Sequence, residues 1–460
     1  MKQTALEYFK SIKGKKVYFL GAGISHRELI VMFAQYGAQV TLCDKQDERG
    51  LGEFALEIKR LGVATILGEG YLSSLCDADI IFRSPGIDYT KPEIQAAVAQ
   101  GKTVTSEIET FFKLCPARTI GVTGSDGKTT TTTLIAKILE RQGYRVHLGG
   151  NIGTPLLPRI LEVEPSDISV VELSSFQLIS MRSSPDFAVV TNLAPNHLDH
   201  HKDMKEYVDA KRNVLRWQSE SGVAVLNADN DITREMAADV KGELRWFSHL
   251  GPVDNGVYID NEGSLVKSVH GERTVIMNLA DIKLPGEHNK ENVATAAAAV
   301  FSLAGDDTIR DVASEFTGVE HRIELTRVKD GVWWYNDSIG TSPTRTIAGL
   351  RSFEKKVILI AGGYDKHISY APLAPEIALR VKHLLLCGPT AASIRAESEA
   401  AGASCPIEDV ADMAQAVQRA NMIAREGDIV LMSPASASFD AYPNFEARGE
   451  HFKKLVGELK

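Results

Sequence analysis

The chain has 460 residues and a mass of 50.2 kDa, more than one ordinary core holds, and its length points to about three domains. Hydrophobic residues make up 44% and charged residues 24%, which is the balance of a folded soluble protein and excludes a disordered one. A formal net charge of −9 argues against nonspecific nucleic-acid binding; the five scattered cysteines, with no C-x-x-C spacing, argue against a disulfide framework or a zinc site and for reduced thiols in cytosol.

In chain order, the first expected domain is residues 1–114. Met1 to Lys16 is charged and has no apolar run of signal-peptide length. A strand Val17 to Leu20 runs into Gly21-Ala22-Gly23-Ile24-Ser25-His26, a helix follows to about Tyr36, and a strand Gln39 to Cys43 ends at Asp44. Strands Asp79 to Phe82 and Thr103 to Thr105, alternating with a helix Lys91 to Gln100, predict a Rossmann-like parallel sheet. The glycine turn has two of the three glycines of the dinucleotide fingerprint, with His26 in the third place. It reads either as a weak nucleotide site, with Asp44 for a ribose, or as a tight strand–helix turn.

The second domain, residues 115–319, opens with strand Thr119 to Thr123, a Gly-rich turn and a helix Lys128 to Arg141. Strands are expected at Ile168 to Glu172, Ala188 to Thr191 and Val223 to Leu226. Gly256 to Met277 reads as short antiparallel strands around Asn261-Glu262-Gly263, and an Ala-rich helix follows from Asn289 to Ala304, too short to cross a bilayer. The third domain, residues 320–460, has strands Val332 to Tyr335, Val357 to Ala361, His383 to Cys387 and Ile429 to Met432 between helices, a doubly wound pattern. Linkers fall near residues 113–117 and 317–322. The expected fold is thus three-domain α/β: a Rossmann-like N-terminal domain, a central P-loop ATPase-type parallel sheet with a small antiparallel excursion, and a Rossmann-like C-terminal domain.

Gly124, Ser125, Asp126, Gly127, Lys128, Thr129 and Thr130 lie between an apolar strand and a helix, where backbone N–H groups and the helix dipole converge on an anion. Glycine lets the backbone approach a phosphate, Lys128 reaches the β/γ oxygens of a nucleotide, and the Thr129 hydroxyl suits Mg²⁺. The usual P-loop spacing is not met, because Val122 stands where its first glycine belongs. Glu172 ends a strand and puts a carboxylate at the sheet edge where Mg²⁺ would sit. In the stretch from Asn192 to Asp199, His197 is a metal or substrate ligand as readily as a structural histidine, and His200 and His201 read as a solvated loop.

With these blocks the chain further carries Gly150-Asn151-Ile152-Gly153, Glu172-Leu173-Ser174-Ser175-Phe176-Gln177, Leu284-Pro285-Gly286-Glu287-His288-Asn289 with Asn292, Glu320-His321-Arg322, Asn336-Asp337-Ser338, and Ser433-Pro434-Ala435-Ser436-Ala437-Ser438 running to Asn444-Phe445-Glu446 and Arg448-Gly449. Together, and in this order, they resemble the Mur ligases of bacterial cell-wall synthesis over essentially the whole chain, and within them the D-glutamate-adding branch.

The resemblance implies an N-terminal domain for a uridine nucleotide, a central ATPase domain, and a C-terminal domain that closes over both and brings the amino acid. The carboxylate of UDP-N-acetylmuramoyl-L-alanine would attack the γ-phosphate of ATP, giving an acyl phosphate that the amine of D-glutamate then attacks. Lys128 would hold the γ-phosphate, Thr129 and Glu172 one Mg²⁺, and His197 a second Mg²⁺ or the reacting carboxylate. Lys211 matches a lysine that relatives carbamylate with CO₂, making it an anionic ligand; without the resemblance it reads as a solvated helix lysine. Asn289 and Asn292 would face the adenine, although helix N-capping alone would explain Asn289. Arg322 would meet the ATP phosphates and Asp337 the ribose. Ser25, Asp44, Gly86, Asn151 and Gln177 fall on the uridine-nucleotide side; Thr341, Lys366, Ser438 and Phe445 on the D-glutamate side. Two departures stand out. Ile339-Gly340-Thr341 replaces a Lys-Ala-Thr of many relatives, and Gly362-Gly363-Tyr364-Asp365-Lys366 replaces Gly-Gly-Asp-x-Lys. Rival readings are a sister ligase using another amino acid, an ATP-binding regulatory module without turnover, and a nicotinamide dehydrogenase. A monomer is expected, with no membrane insertion and no nucleic-acid partner.

Overall fold

The structure, a computed structural model, describes residues 4–195, 201–284, 286–365 and 368–460. It has two compact units, Met1–Phe316 and Thr317–Lys460. The first unit holds two sheets and the second holds one.

The first sheet comprises β1 (Lys16–Leu20), β2 (Gln39–Asp44), β3 (Ala64–Leu67), β4 (Ile80–Arg83) and β5 (Thr103–Thr105), all parallel in the order β3-β2-β1-β4-β5. The strand order reverses between β1 and β4, so a crevice opens beyond the carboxyl ends of these two strands, the usual ligand position in such sheets. Apolar residues of the two strands bind them across the sheet: Phe19 stacks on Phe82 with ring centroids 4.9 Å apart. Within the charged N-terminal stretch, Ala5–Ser11 form a helix, closed by a capping box between Thr4 and Glu7 and anchored by Phe9, which stacks on Tyr36.

The second sheet has nine strands: β6 (Arg118–Thr123), β7 (Val146–Gly150), β8 (Ile168–Glu172), β9 (Phe187–Val190), β10 (Val223–Asn227), β11 (Glu243–Ser248), β12 (Gly256–Ile259), β13 (Ser264–Val269) and β14 (Glu272–Asn278). Its order is β14-β13-β12-β11-β10-β9-β6-β8-β7, so β6 lies between β8 and β9. The antiparallel excursion is an extension of this sheet: β12 pairs parallel with β11, and β13 and β14 add on antiparallel. Within the same unit the two sheets are joined by buried polar contacts. Glu107 Oε1 accepts from Leu156 N and Leu157 N at 2.8 Å each.

The second unit carries β15 (Glu324–Lys329), β16 (Val332–Asn336), β17 (Val357–Ala361), β18 (Val381–Leu386), β19 (Ile407–Asp409) and β20 (Ile429–Met432), ordered β15-β16-β20-β17-β18-β19. All neighbours are parallel except β15 and β16. Among the described residues no helix is long and apolar enough to cross a membrane.

Candidate phosphate-binding active site

The centre of the site is the turn between β6 and the helix Lys128–Gln142. Val122 is fully buried and belongs to β6, paired with Glu172 on one side and Val189 on the other, so the strand runs through the position where a longer P-loop has its first glycine. The remaining turn is short. Gly124 has φ 149°, and a Cβ there would lie 1.9 Å from Thr191 Oγ1; Gly127 has φ 76°, and a Cβ would lie 2.2 Å from Asn292 Oδ1. Only glycine fits either place. No side chain caps the helix, an end that presents backbone N–H groups and the positive dipole to an anion.

Neighbouring segments hold the turn from outside. Ser125 N donates to Asn192 O at 2.8 Å and Asp126 N to Asn192 Oδ1 at 3.0 Å, while Thr191 Oγ1 donates to Asp126 O at 2.6 Å. Ser125 Oγ donates to Ala194 O at 2.9 Å and lies 2.9 Å from Tyr207 Oη. Of the stretch from Asn192 to Asp199, the sequence reading assigned only His197, which lies outside the described residues; it missed Thr191, Asn192 and Tyr207. Asn192 was legible as the polar residue directly beyond a buried strand at the sheet edge.

Two lysines converge here. Lys128 Nζ donates to Gly124 O at 2.9 Å and to Ser125 O at 2.8 Å; Lys211 Nζ donates to Gly124 O at 2.8 Å and to Thr123 Oγ1 at 3.1 Å. Lys211 is 2% exposed and lies over the Tyr207 ring, 4.9 Å from its centroid. The reading of Lys211 as a solvated helix lysine is thereby corrected. It sits on the buried stripe Tyr207, Ala210, Lys211, Val214 and Leu215 of helix Met204–Arg216, a 3.6-residue spacing that places it on the core face. Burial, and next the Lys128 ammonium, push the Lys211 amine well below the ordinary lysine value; Glu172 and Asp126 act in the opposite direction.

Glu172, 1% exposed at the end of β8, accepts from Asn151 Nδ2 at 2.7 Å through Oε1. Its Oε2 is buried with no hydrogen-bond partner among the described residues, so it could serve as a ligand to a cation. Asn151 thus ties the turn after β7 to the end of β8.

Asn289 and Asn292 are buried one turn apart on helix Glu287–Val300; Asn292 Nδ2 donates to Asn289 Oδ1 at 3.1 Å, and Thr131 Oγ1 to Asn292 Oδ1 at 3.3 Å. The capping explanation of Asn289 does not hold, since the cap is Gly286 and Asn289 lies within the first turn. The solvated-loop reading of His201 is likewise corrected: buried, it bonds Ser175 Oγ at 2.9 Å and Glu206 Oε1 at 3.1 Å and stacks on Phe176. His200 lies outside the described residues.

At the first sheet, Asp44 ends β2 and accepts from Ala22 N at 2.7 Å through Oδ2 and from Gln46 N at 2.8 Å through Oδ1, so it ties down the glycine turn. Ser25 lies in the first turn of the helix Ile24–Gln35 behind that turn, and Gly86 is exposed in the loop after β4. Gln177 Oε1 accepts from Ser174 N and Ser174 Oγ, 2.9 Å each, in a capping box.

In the second unit, Asp337 is 3% exposed and accepts from Ser433 Oγ at 2.6 Å and Ile323 N at 3.3 Å. Burial pushes its carboxyl up to about 7, with Ser433 and the Arg322 charge opposing. Ser338 Oγ donates to Phe445 O at 2.8 Å. The buried guanidinium of Arg448, to which the sequence reading gave no role, donates to Ser338 Oγ and Ser338 O, and to Ser436 O and Ala437 O, all within 3.1 Å. It thus fixes the segment that carries the buried Ser438. Thr341 N donates to Ile339 O at 2.7 Å, and Lys366 lies outside the described residues. Tyr364 is half exposed, its ring edge-on to Phe439 at 5.9 Å.

A glycine turn after an interior strand of a mostly parallel sheet, opening a lysine-headed helix beside a buried carboxylate, has the make-up of an ATPase-type phosphate site. Comparison with known proteins fixes the family. The chain matches the Mur ligase MurD-like N-terminal domain over residues 15–106, the Mur ligase middle domain over residues 122–300, and the Mur ligase glutamate ligase domain over residues 321–436. It is 51% identical to the UDP-N-acetylmuramoylalanine–D-glutamate ligase of Acetivibrio thermocellus, covering 99% of this chain and 98% of that one, and 46% identical to the ligase of the same name from Clostridium novyi, covering both completely at 100%. Among solved structures, MurF of Acinetobacter baumannii superimposes with TM-score 0.54 at 15% identity over 99% of this chain and 98% of that one. The UDP-N-acetylmuramate–alanine ligase of Thermotoga maritima does so with TM-score 0.53 at 17% identity over 97% and 100%. The chain belongs to the Mur ligase family.

Proposed function

We propose that the chain is an ATP-dependent ligase that adds D-glutamate to UDP-N-acetylmuramoyl-L-alanine in peptidoglycan precursor synthesis. The observation that carries this reading is the turn Gly124–Lys128 with Lys211 and Glu172 gathered behind it, in a chain about half identical over its length to ligases named for that reaction. Residues 1–114 take the uridine nucleotide, 115–319 the ATP, and 320–460 the amino acid.

A carboxylate is a poor electrophile until one of its oxygens becomes a good leaving group. Lys128 and the first amides of its helix hold the terminal phosphoryl of ATP and offset the repulsion between it and the incoming carboxylate. The carboxylate oxygen attacks phosphorus, ADP leaves, and the acyl phosphate forms. The amine of D-glutamate then attacks the carbonyl, phosphate departs with the former carboxylate oxygen, and the amine loses its proton. Asn289 and Asn292 face the adenine, Arg322 the phosphates and Asp337 the ribose; Ser25, Asp44, Gly86, Asn151 and Gln177 serve the uridine nucleotide.

The donor set also suits Mg²⁺: the orphaned Glu172 Oε2 and the Thr129 hydroxyl for one ion, His197 and a carbamylated Lys211 for a second. When bound, such ions screen phosphate charge and polarise the transferred phosphoryl. Burial and the Lys128 charge push the Lys211 amine well below the ordinary lysine value, which favours the neutral form that reacts with CO₂. Ser438, Phe445, Thr341 and Lys366 take D-glutamate; Ile339 leaves that side without a cation that many relatives have.

The test is phosphate release from ATP with UDP-N-acetylmuramoyl-L-alanine and a panel of amino acids. Release should depend on D-glutamate; equal release with L-glutamate, or none with either, refutes the assignment.

A further inference from the structure

Strand β4 ends at Arg83, a guanidinium 1% exposed that the reaction above does not use. It stands at the crevice where the sheet order reverses. The two strand-end turns meet there, since a Cβ on Gly21 would lie 3.2 Å from Ser84 Cβ. Arg83 Nη1 donates to Ser84 O at 3.3 Å and Ile87 O at 2.7 Å, at either end of the loop that carries Gly86. Arg83 Nη2 donates to Phe176 O at 2.7 Å and Ser180 Oγ at 3.0 Å, in the segment that leaves β8 just after Glu172. One side chain thus grips the loop after β4 of the first sheet and the short helical segment Ser175–Leu178 with its following turn in the second.

We propose that Arg83 is a positioning residue that locks the uridine-nucleotide loop against the segment following Glu172, so that a substrate held at one end presents its carboxylate at the phosphate site. The proposal rests on residues 1–114 being the uridine-nucleotide side. A long substrate anchored far from its reacting group needs the two anchoring surfaces held in fixed register, because a displacement of about 1 Å at the reacting atoms costs on the order of 10²-fold in rate. Packing alone would be served by an apolar side chain at lower desolvation cost. A planar fork with four acceptors on two loops is a geometric device that lysine, with its compact ammonium, does not reproduce.

His26, in the place of the fingerprint's third glycine, supports the first of these loops. Its Nδ1 donates to Gly21 O at 2.9 Å, the only role a carbonyl partner allows, and its ring stands edge-on to Phe19. Burial, helped by the Arg83 charge, holds it down to about 4, so it stays neutral and keeps its grip on Gly21 through the physiological range. Arg83 is lowered only to about 10 and stays charged.

The experiment uses the full chain with Arg83→Met, Arg83→Lys and Ser180→Ala, and measures KM for the UDP-linked substrate, KM for ATP, kcat and thermal midpoint. Arg83→Met should raise KM for the UDP-linked substrate about tenfold or more and lower kcat, with KM for ATP within about twofold. Arg83→Lys should restore only a minor part. Ser180→Ala, which removes one acceptor, should raise the same KM about two- to fivefold. A lowered midpoint with KM for the UDP-linked substrate unchanged would make Arg83 a packing residue and overturn the proposal. If Arg83→Met does not fold, an unchanged KM in Ser180→Ala overturns it alone. Failure of the wild-type chain to bind the UDP-linked substrate in calorimetry sinks the functional reading and this proposal together, whereas binding that the variants keep in full sinks only the proposal.

Discussion

Lys128 and Lys211 donate to one and the same carbonyl oxygen, that of Gly124, at 2.9 and 2.8 Å. Two ammonium groups on one oxygen repel each other, and burial together with the Lys128 charge pushes the Lys211 amine well below the ordinary lysine value. In the proposed reaction the two take separate roles, Lys128 as the cation for phosphate and Lys211 as the amine for CO₂. Activity should therefore fall in bicarbonate-depleted buffer and recover on adding bicarbonate, with a carbamate carbon visible by carbon-13 NMR. Lys211→Arg, which forces a permanent cation into the same space, should lower kcat by about 10² or more. Full activity of that variant would remove Lys211 from the reaction.

Lys128→Ala should reduce turnover by about 10²–10³-fold or more, the cost of losing a charge placed for the transferred phosphoryl. Calorimetry should still find the UDP-linked substrate bound within about threefold of wild type. Loss of that binding would mean that the two nucleotides had been assigned to the wrong sheets.

Gly127→Ala places a Cβ 2.2 Å from Asn292 Oδ1 on a backbone at φ 76°. The strained backbone alone costs about 1 kcal/mol or more, and Asn292 must also move. KM for ATP should rise, with KM for D-glutamate little changed. An alanine variant with wild-type KM for ATP and wild-type denaturation midpoint would show that the turn does not need glycine there.

Glu107 is buried between the first sheet's last helix and Leu156, and burial pushes its carboxyl up to about 7 despite two backbone N–H donors. The native state therefore holds a proton that the unfolded chain releases from about pH 4.5 upward. Its contribution to stability is present below that pH and is lost as pH rises to about 7, by on the order of 3 kcal/mol at most. In urea titrations, Glu107→Gln should flatten this decline for the transition of the first unit. A steeper decline in the variant would contradict the burial argument.

The sheets were legible because most of their strands are short runs of apolar and β-branched residues: β5, β8, β17 and β20 have the bounds that the residues alone imply. The strands that escaped are edge or polar ones. β15 is Glu-Leu-Thr-Arg-Val-Lys and half buried along its length, and β7 ends in two glycines. Nothing in such segments marks them until a neighbour supplies the hydrogen bonds. At the site, the glycine turn and the helix it opens were legible because glycine and lysine act through the local backbone. Lys211 was misread on residue type, although its spacing with Tyr207, Val214 and Leu215 already put it on the buried face. Arg83 and Arg448 were not legible, because each joins segments distant in the chain: their partners include Phe176 and Ser338, 93 and 110 residues away.

The central claim is that the substrate's carboxylate is activated by transfer of a phosphoryl group to one of its oxygens. It is tested most directly by labelling that carboxylate with oxygen-18 and analysing the phosphate released during turnover with D-glutamate by mass spectrometry. The account requires one labelled oxygen in each phosphate released; phosphate free of label, with amide product still forming, would contradict it.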